Sequence, residues 1–316
     1  MAETDEPLLT VVIPVFNGAA TIGPLVKALS ETEFPGPFEV VLVNDGSADN
    51  SIEVCHRLVD DVHCPITLVD LARNFGEHNA VMAGLRHARG RWIITIDDDF
   101  QNPPSEVRRL LEFSIEADVD VVYTYYRDRH HSWLRRLGSR LANYVADVLL
   151  DKPRGLYLSS FRCISQWAAQ QVIGYEGPFP YVDGLLLQVT QRVRSIEAEH
   201  LPRLSGKSNY NLRRLIRLWL SLALNFSVMP LRISTLLGLL LTVFGVGFFV
   251  LIVVDYFLHG SPVPGWASTV SIILLFSGAQ LVMIGLVGEY LGRVYLTLNQ
   301  RPQFVVRDVI RPNDNA

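Results

Sequence analysis

The sequence predicts an α/β fold with a mainly parallel sheet, followed by an apolar C-terminal part. In the N-terminal part, short runs rich in valine and isoleucine alternate with segments of helical periodicity. This alternation is typical of a parallel sheet that helices cover on both faces. In the C-terminal part, two nearly uncharged stretches are each longer than the about 20 residues that a helix needs to cross a bilayer.

Five strands and four helices are predicted in the N-terminal part. The strands are Leu9–Pro14, Glu39–Asn44, Ile66–Asp70, Trp92–Asp97 and Val119–Tyr123. The helices are Thr21–Ser30, Asp49–Val62, Gly76–Ala88 and Pro104–Ala117. Ligands of such sheets bind at the carboxyl ends of the strands. Polar residues at or just beyond three of these ends are therefore candidates for one shared site: Asn17, Asp45 and Asp97.

Two membrane-spanning helices are predicted, Ile233–Leu258 and Ala267–Gly288, joined by the loop His259–Trp266, which has no lysine or arginine. Arginines lie on the other side of both spans: Arg213, Arg214, Arg217 and Arg232 before them, and Arg293, Arg301, Arg307 and Arg311 after them. The positive-inside rule therefore places both termini in the cytoplasm. The alternative is a pair of buried helices in a large soluble core.

Two further segments, Trp133–Val148 and Leu212–Phe226, have apolar residues on one helical face and arginines on the other. This pattern predicts helices that lie in an anionic membrane surface, and the alternative is a surface helix packed on the core. The tail, Gln303–Ile310, is predicted as a strand whose edge adds to the sheet of a neighbouring subunit. A homo-oligomer, a dimer or a tetramer, is the expectation that follows.

Composition excludes other classes. A net charge of −4 does not indicate a nucleic-acid-binding protein. The acidic start, Met1–Thr10, has no basic region followed by an apolar core, so no secretory signal is expected. The three cysteines have neither disulfide-framework nor zinc-ligand spacing, which fits a reducing cytosolic setting.

The strongest chemical motif is the acid run Asp97-Asp98-Asp99, which ends an apolar strand and is followed by Phe100 and Gln101. Adjacent carboxylates repel each other unless a cation is present, and oxygen-only ligands suit Mg²⁺ or Mn²⁺. Such a metal neutralises the charge that grows on a departing nucleoside diphosphate. The alternative is an acidic, solvated turn.

Other motifs carry weight only together. Asn44-Asp45-Gly46-Ser47 and Ile13-Pro14-Val15-Phe16-Asn17 follow strands, but Asp-Gly-Ser is also common turn chemistry. No Walker phosphate loop or G-x-G-x-x-G fingerprint is present. Basic residues suited to phosphate binding, and equally to a solvated surface, are Arg73, Arg127, Arg129, Arg203 and Lys207.

Seven motifs, in their order and spacing, resemble those of family-2 glycosyltransferases that act on polyprenyl phosphates. They are VVIPVFN, VNDGSADNS, RNFGEHNAVMAGL, IDDDFQNPP, SSFR, RLSGKSNY and GEYLGRVY. The chain is similar to the dolichol-phosphate mannose synthase and bactoprenol glucosyltransferase group. The closest pattern is that of undecaprenyl-phosphate 4-deoxy-4-formamido-arabinose transferase-like members. The resemblance covers nearly the whole chain.

The resemblance implies a cytoplasmic GT-A nucleotide-sugar domain over residues 1–210 and an interfacial helix over 211–230. Two transmembrane helices over 231–298 and a tail with a short strand over 299–316 follow. It implies an inverting, Mg²⁺- or Mn²⁺-dependent transfer of sugar from a UDP-sugar to undecaprenyl-type phosphate. The reaction would take place at the inner membrane and yield a lipid-linked donor for cell-envelope glycans.

The resemblance also implies roles for individual residues. Metal ligands and catalytic residues are Asp97, Asp99 and Gln101. Nucleotide-sugar contacts are Pro14, Phe16, Asn17, Asp45, Ser47, Arg73 and Asp98. Acceptor-phosphate contacts, some on a mobile closing segment, are Arg127, Arg140, Arg203, Lys207 and Ser208.

The chain departs from the family pattern at two places. Gly18 stands where many members have Glu, and Ser159 and Ser160 stand where several have Asp. The nearest other carboxylate is Asp183, a catalytic candidate whose alternative role is a helix N-cap. A phosphate monoester has a second pKa near 6 and is already a nucleophile at neutral pH, so the reaction tolerates the missing Asp.

Two rival functions remain at this point. One is a processive polysaccharide synthase of the same fold. Such enzymes resemble each other in a Q-x-x-R-W motif, whereas residues 166–170 of this chain read QWAAQ. Two membrane spans are also too few to form a channel. A non-catalytic scaffold that binds nucleotide-sugar is disfavoured by the intact Asp97, Asp99 and Gln101.

Overall fold

The computed structural model describes residues 6–126, 156–199, 201, 229–259, 265–299 and 302–312. The chain divides into two compact units. The first comprises residues 1–211 and 300–316, and the second comprises residues 212–299.

The first unit contains the five strands and four helices predicted for the N-terminal part, with ends that lie within two residues of those expected. The tail strand begins at Val306, three residues later than predicted. Its strands are β1 (Leu9–Val15), β2 (Phe38–Asn44), β3 (Ile66–Leu71), β4 (Trp92–Thr95), β5 (Val121–Tyr125), β6 (Arg162–Ser165), β7 (Val193–Glu197) and β8 (Val306–Ile310). Its helices are α1 (Ile22–Ser30), α2 (Ser51–Asp61), α3 (Glu77–His87), α4 (Pro104–Ala117), α5 (Gln166–Ile173) and α6 (Val182–Val189).

The strands form one sheet in the order β7-β5-β6-β4-β1-β2-β3-β8. The central strands β4, β1, β2 and β3 are parallel, as predicted. The sequence did not indicate β6, which runs antiparallel between β4 and β5, or β7, which is parallel to β5. The sheet is therefore mixed, with its parallel part at the centre.

The central strands are buried on both faces. In β1, Val11, Val12 and Ile13 are fully buried, although their side chains alternate between the faces. Residues of one face pack with the apolar sides of α1, α2 and α4 in a single core cluster. Helix α3 lies against β1 and β2. This two-sided cover explains the continuous Val/Ile runs, because neither face meets water.

The tail strand β8 pairs antiparallel with β3 of the same chain, with Val69 opposite Val309. The predicted strand is therefore present, and β8 is the edge strand of its own sheet. Its pairing with a neighbouring subunit, and the homo-oligomer that this pairing implies, stay predictions. The outer backbone edge of β3 is therefore paired within the same chain. This pairing brings the tail beside the loop that follows β3.

The second unit contains two long helices, α7 (Met229–His259) and α8 (Trp266–Leu298). Gly238 of α7 lies close to Met283 of α8, and Gly245 lies close to Phe276, so the two helices run antiparallel. Among the described residues, one segment, Phe276–Leu298, is long and apolar enough to cross a membrane, with 23 residues and a mean hydropathy of 1.4. The apolar part of α7, Ser234–Phe248, is shorter. The predicted two-span hairpin stays a prediction.

Candidate active site

A cleft of about 380 Å³ opens at the carboxyl ends of β1, β2 and β4. It forms there because β1 lies between β2 and β4, so the segments that follow these three strands meet. The loop after β3 and the start of α3 supply a further wall. The lining residues are Pro14, Val15, Phe16, Asp45, Asn74, Gly76, Glu77, Asp97, Asp98 and Asp99.

Asn17 and Ser47 hold the loops after β1 and β2 together. The Asn17 N–H donates to Oγ of Ser47 over 3.1 Å, and the Ala48 N–H donates to Oδ1 of Asn17 over 2.8 Å. Asn17 has a φ of 54°, which asparagine tolerates better than most residues. Both residues lie next to the cleft and outside its lining. Their geometry supports a role in shaping the site.

The buried Asp45 connects the turn after β2 to the β3–α3 loop. Its two carboxylate oxygens accept hydrogen bonds from the backbone N–H groups of Phe75, over 2.7 Å, and Gly76, over 2.9 Å. Burial raises the pKa of the Asp45 carboxyl, and the two hydrogen bonds oppose this shift. Asp45 also lines the cleft, so it both builds and faces the site.

The turn after β2 touches this loop at Gly46. A Cβ at Gly46 would lie 2.4 Å from the carbonyl carbon of Arg73 and 2.4 Å from the nitrogen of Asn74, and φ is 61°. Only glycine fits so close a backbone contact with a left-handed conformation. The Arg73 guanidinium lies 4.6 Å from the centre of the Phe75 ring in a cation–π contact. Arg73 is not among the residues that line the cleft.

The acid turn after β4 comprises Asp97, Asp98 and Asp99. Oδ2 of Asp98 accepts from the Phe16 N–H over 3.2 Å, which connects this turn to the segment after β1. Burial raises the pKa of Asp98 to about 6, and the negative charges of Asp97 and Asp99 add to the shift. The Asp98 carboxyl is therefore protonated more readily than that of an exposed aspartate.

Hydrogen bonds orient the other two carboxylates of the turn. Oδ2 of Asp97 accepts from the Ser160 hydroxyl over 2.7 Å. Oδ1 of Asp99 accepts from the Gln101 N–H over 3.2 Å. Phe100, between Asp99 and Gln101, has a φ of 59°, a strained value for an aromatic residue. Backbone strain beside the acid turn is typical of a functional site.

Gln101 is held by Leu201. Its side-chain amide donates to the Leu201 carbonyl over 3.1 Å, and the Leu201 N–H donates to the Gln101 carbonyl over 2.8 Å. The structure therefore places Gln101 beside the acid turn but outside the lining of the cleft. Its predicted role as a metal ligand stays a prediction.

The space for a side chain at Gly18 is occupied in this structure. A Cβ at this position would lie 2.2 Å from Oδ2 of Asp98. Asp98 thus occupies the space that a side chain at position 18 would need.

Glu77 lines the cleft although sequence reasoning did not select it. It is the first residue of α3. Desolvation raises the pKa of Glu77 to about 7, and the charge of Asp97 adds to the shift. One signal existed: Glu77 begins a helix just after the third parallel strand, and such loops meet at the carboxyl edge of the sheet.

Asp183 lies in a buried ion pair with Arg162. Arg162 is 2% exposed and Asp183 6% exposed, and Asp183 is not among the residues that line the cleft. Asp183 is the second residue of α6, whose N-cap is Tyr181, so it is not the N-cap.

Burial lowers the pKa of the neighbouring His78 to about 4, which keeps that imidazole neutral at physiological pH.

A divalent cation fits the acid turn when phosphate completes its shell. In the described part of the chain, no group of three or more His, Cys, Asp or Glu residues forms a ready cation cage. Mg²⁺ usually takes only one or two protein carboxylates, together with substrate phosphates and water. Asp97 and Asp99, which bring two carboxylates to the lining of the cleft, match this requirement.

The remaining predicted site residues and helices lie outside the described residues. They are Arg127, Arg140, Arg203, Lys207 and Ser208, with the amphipathic segments Trp133–Val148 and Leu212–Phe226.

Comparison with known proteins gives three findings. The sequence profile of glycosyl transferase family 2 matches residues 10–169. Undecaprenyl-phosphate 4-deoxy-4-formamido-L-arabinose transferase from Edwardsiella ictaluri (strain 93-146) is 34% identical over 312 residues, which cover 96% of this chain and 95% of that protein. A crystal structure of glucosyl-3-phosphoglycerate synthase from Mycobacterium tuberculosis, in complex with Mn²⁺, UDP and glucosyl-3-phosphoglycerate, superposes with a TM-score of 0.51. It is 17% identical and covers 69% of this chain and 78% of its own, so this likeness concerns the fold alone.

Proposed function

The chain belongs to glycosyl transferase family 2 and has the GT-A fold, and we propose that it transfers the sugar of a UDP-sugar to polyprenyl phosphate. One observation supports polyprenyl phosphate as the acceptor. The similarity to an undecaprenyl-phosphate sugar transferase extends over 96% of the chain, well beyond the catalytic domain. The proposed product is a lipid-linked sugar for modification of cell-envelope glycans.

The cleft supports a nucleotide-sugar donor. Pro14, Phe16 and Asp45 line one part of it, and the acid turn lines another. In this proposal the nucleoside lies between Phe16, whose ring is half exposed, and Asp45, and the diphosphate lies at the acid turn. The solved structure of similar fold holds UDP with Mn²⁺, which supports a uridine nucleotide and a divalent cation.

Asp97 and Asp99 would hold Mg²⁺ or Mn²⁺ together with the diphosphate oxygens. The bound cation would neutralise the negative charge that develops on the leaving UDP. Ser160 fixes one oxygen of Asp97, and the Gln101 N–H fixes one oxygen of Asp99. Asp98, held by the Phe16 N–H, keeps the acid turn against the segment after β1. These contacts pre-orient the ligands, so little reorganisation is needed when the donor binds.

The acceptor needs no general base. A phosphate monoester is largely dianionic at neutral pH, so it attacks the anomeric carbon once it is aligned behind that carbon. Direct displacement inverts the anomeric configuration. The pair Ser159-Ser160, where the family resemblance implies an Asp in several members, is compatible with this chemistry. We assign the acceptor phosphate to Arg127, Arg140, Arg203, Lys207 and Ser208 on the family resemblance.

The buried pair with Arg162 supports a structural role for Asp183. A carboxylate that neutralises a buried guanidinium is a poor proton acceptor, because protonation would leave the guanidinium uncompensated. The ion pair therefore favours a structural role for Asp183 over the catalytic role that was predicted from the sequence.

Chain connectivity supports a two-span membrane anchor. The strands β1–β7 precede α7, and β8 follows α8, yet all eight belong to one sheet. A chain that leaves and re-enters the same folded unit crosses a membrane an even number of times. If Phe276–Leu298 spans the membrane, the chain needs a second crossing between β7 and β8, and we assign it to α7. We propose that both spans anchor the enzyme in the inner membrane, with the first unit in the cytoplasm.

The test is release of nucleoside diphosphate by the detergent-purified protein. Undecaprenyl phosphate, Mg²⁺ or Mn²⁺, and a panel of UDP- and GDP-sugars are supplied. Release that requires both lipid and cation is expected with at least one UDP-sugar. Release without lipid would indicate hydrolysis or another acceptor. No release with any donor would favour a non-catalytic binding protein.

A further inference from the structure

The β3–α3 wall of the cleft, residues 72–77, is held from two opposite sides. On the inner side, Asp45 accepts from the N–H groups of Phe75 and Gly76. Gly46 contacts the backbone of residues 73 and 74 on the same side. These contacts come from the turn directly after β2, a strand of the central sheet. They leave the outer side of the wall to be fixed by another segment.

The C-terminal tail fixes that outer side. The Ala72 N–H donates to the Val305 carbonyl over 2.9 Å. The Arg307 guanidinium donates to the Ala72 carbonyl over 3.1 Å. Both backbone hydrogen-bonding groups of Ala72 are therefore taken by the tail. Ala72 precedes Phe75, the first of the two residues that Asp45 holds, by three positions.

A register shift marks the same place. The β3–β8 ladder slips between Asp70 and Leu71, where Leu71 pairs with Val306 instead of Arg307. An irregularity of this kind bends the strand and redirects the residues that follow it. Here the redirected residues are those of the wall. The tail thus acts at the position where β3 ends and the wall begins.

The tail is itself anchored next to its contacts with Ala72. The buried side-chain amide of Gln303 donates to the carbonyls of Tyr175, over 2.5 Å, and Gly177, over 2.9 Å. The guanidinium of Arg86, in the last turn of α3, lies 4.8 Å from the centre of the Phe304 ring. The tail therefore contacts the last turn of α3 as well as the start of the wall.

We propose that residues 303–307 position the wall of the donor cleft, so that the C-terminal strand is a functional part of the donor site. Arg307 is the positioning residue of this arrangement and acts through Ala72. It lies outside the lining of the cleft. The proposal rests on the proposed function in one respect only, namely that the cleft takes a nucleoside diphosphate.

The first test needs no ligand. Hydrogen–deuterium exchange is measured on the full-length protein and on Arg307→Ala, and the amides of residues 72–77 are expected to exchange faster in the variant. The control is Arg192→Ala. Arg192 is also an exposed arginine that donates to a backbone carbonyl, that of Asp118, but at the opposite edge of the sheet. The control should leave exchange at 72–77 unchanged.

The second test measures affinity for UDP in the presence of Mn²⁺. Arg307→Ala should bind UDP about three- to tenfold more weakly, the range that loss of one partly exposed hydrogen bond gives. Arg307→Lys, which keeps a donor, should lie within about twofold of wild type. Failure of the wild type itself to bind UDP would contradict the proposed donor and would leave the exchange result as the test of the tail.

A double variant, Gln303→Ala with Arg307→Ala, removes both side-chain anchors of the tail. It should weaken UDP binding further than the single variant and speed exchange at 72–77. Unchanged exchange at 72–77 in both variants would overturn the proposal. Uniformly faster exchange throughout the first unit would also overturn it, because the tail would then support the fold in general and not the wall in particular.

Discussion

The Ser160 hydroxyl donates a hydrogen bond to Oδ2 of Asp97 over 2.7 Å. This bond joins the segment before β6 to the acid turn after β4, two parts of the chain that are 63 residues apart. Ser160 belongs to the pair Ser159-Ser160, where the family resemblance implies a carboxylate in several members. In this chain the position supplies a hydrogen-bond donor that orients a proposed metal ligand.

Replacing Ser160 with Ala should lower kcat/KM about tenfold, equivalent to about 1.4 kcal/mol of transition-state stabilisation. The reason is that Asp97 loses the donor that fixes one of its oxygens. Steady-state turnover across a range of Mg²⁺ concentrations measures the effect, and the Mg²⁺ requirement should rise. The control is Ser165→Ala, which removes the N-cap of α5. It should lower stability by about 1 kcal/mol and leave the Mg²⁺ requirement unchanged.

Replacing Asp45 with Ala should weaken both fold and donor binding. The change leaves the Phe75 and Gly76 N–H groups without their acceptor, at about 1–3 kcal/mol for each one that stays buried. Thermal denaturation and UDP titration measure the two effects. Asp49→Ala is the matched control, because Asp49 accepts backbone hydrogen bonds in the neighbouring turn but does not line the cleft. Equal loss of UDP affinity in both variants would contradict a specific role for Asp45.

Replacing Asp183 with Ala should destabilise the first unit by about 3–5 kcal/mol, because Arg162 would be left as a buried, uncompensated charge. Urea denaturation measures the change. The double variant Arg162→Met with Asp183→Leu should recover most of the loss, since it removes both charges. A fully stable Asp183→Ala protein without turnover would show instead that Asp183 is catalytic.

Glu77 and Asp98 should make the metal-free protein less stable as pH rises. The folded state raises the pKa of Glu77 from 4.5 to about 7 and that of Asp98 from 3.8 to about 6. The unfolded chain therefore releases these protons first, and stability falls between about pH 4 and pH 7. Glu77→Gln removes the contribution of Glu77, so its stability relative to wild type should increase across that window.

Denaturant titrations at pH 5, 6, 7 and 8 in EDTA measure this difference. Saturating Mg²⁺ is the control, because a nearby positive charge favours the ionised carboxylates and should reduce the trend. A difference between Glu77→Gln and wild type that stays constant with pH would contradict the raised pKa of Glu77.

The central part of the fold could be predicted because its sequence signals are local. Runs such as Val11–Ile13 and Val40–Val43 are apolar at every position, a pattern typical of strands in a sheet that is covered on both faces. The acid turn could be placed at the cleft for the same reason, since the carboxyl ends of neighbouring parallel strands share one edge.

Contacts between distant segments could not be predicted. Nothing local in Asp45 indicates that it binds the backbone of Phe75 and Gly76, and nothing in Ser160 indicates Asp97. Glu77 was missed because a single Glu at a helix start is usually a solvated residue. The pairing of β8 with β3 was open, because an edge strand fits the edge of its own sheet and that of a neighbour equally well.

The most direct test of the central claim is the transfer of radiolabelled sugar from the UDP-sugar to undecaprenyl phosphate, followed by extraction of the lipid. With wild-type protein, label should enter the lipid fraction only when a divalent cation is present. Asp99→Ala should lower this transfer by on the order of 100-fold or more, because the proposed cation at the leaving diphosphate would lose its main protein ligand. Full transfer by Asp99→Ala at saturating Mg²⁺ or Mn²⁺, or label that stays in the water-soluble fraction with the wild type, would contradict the account.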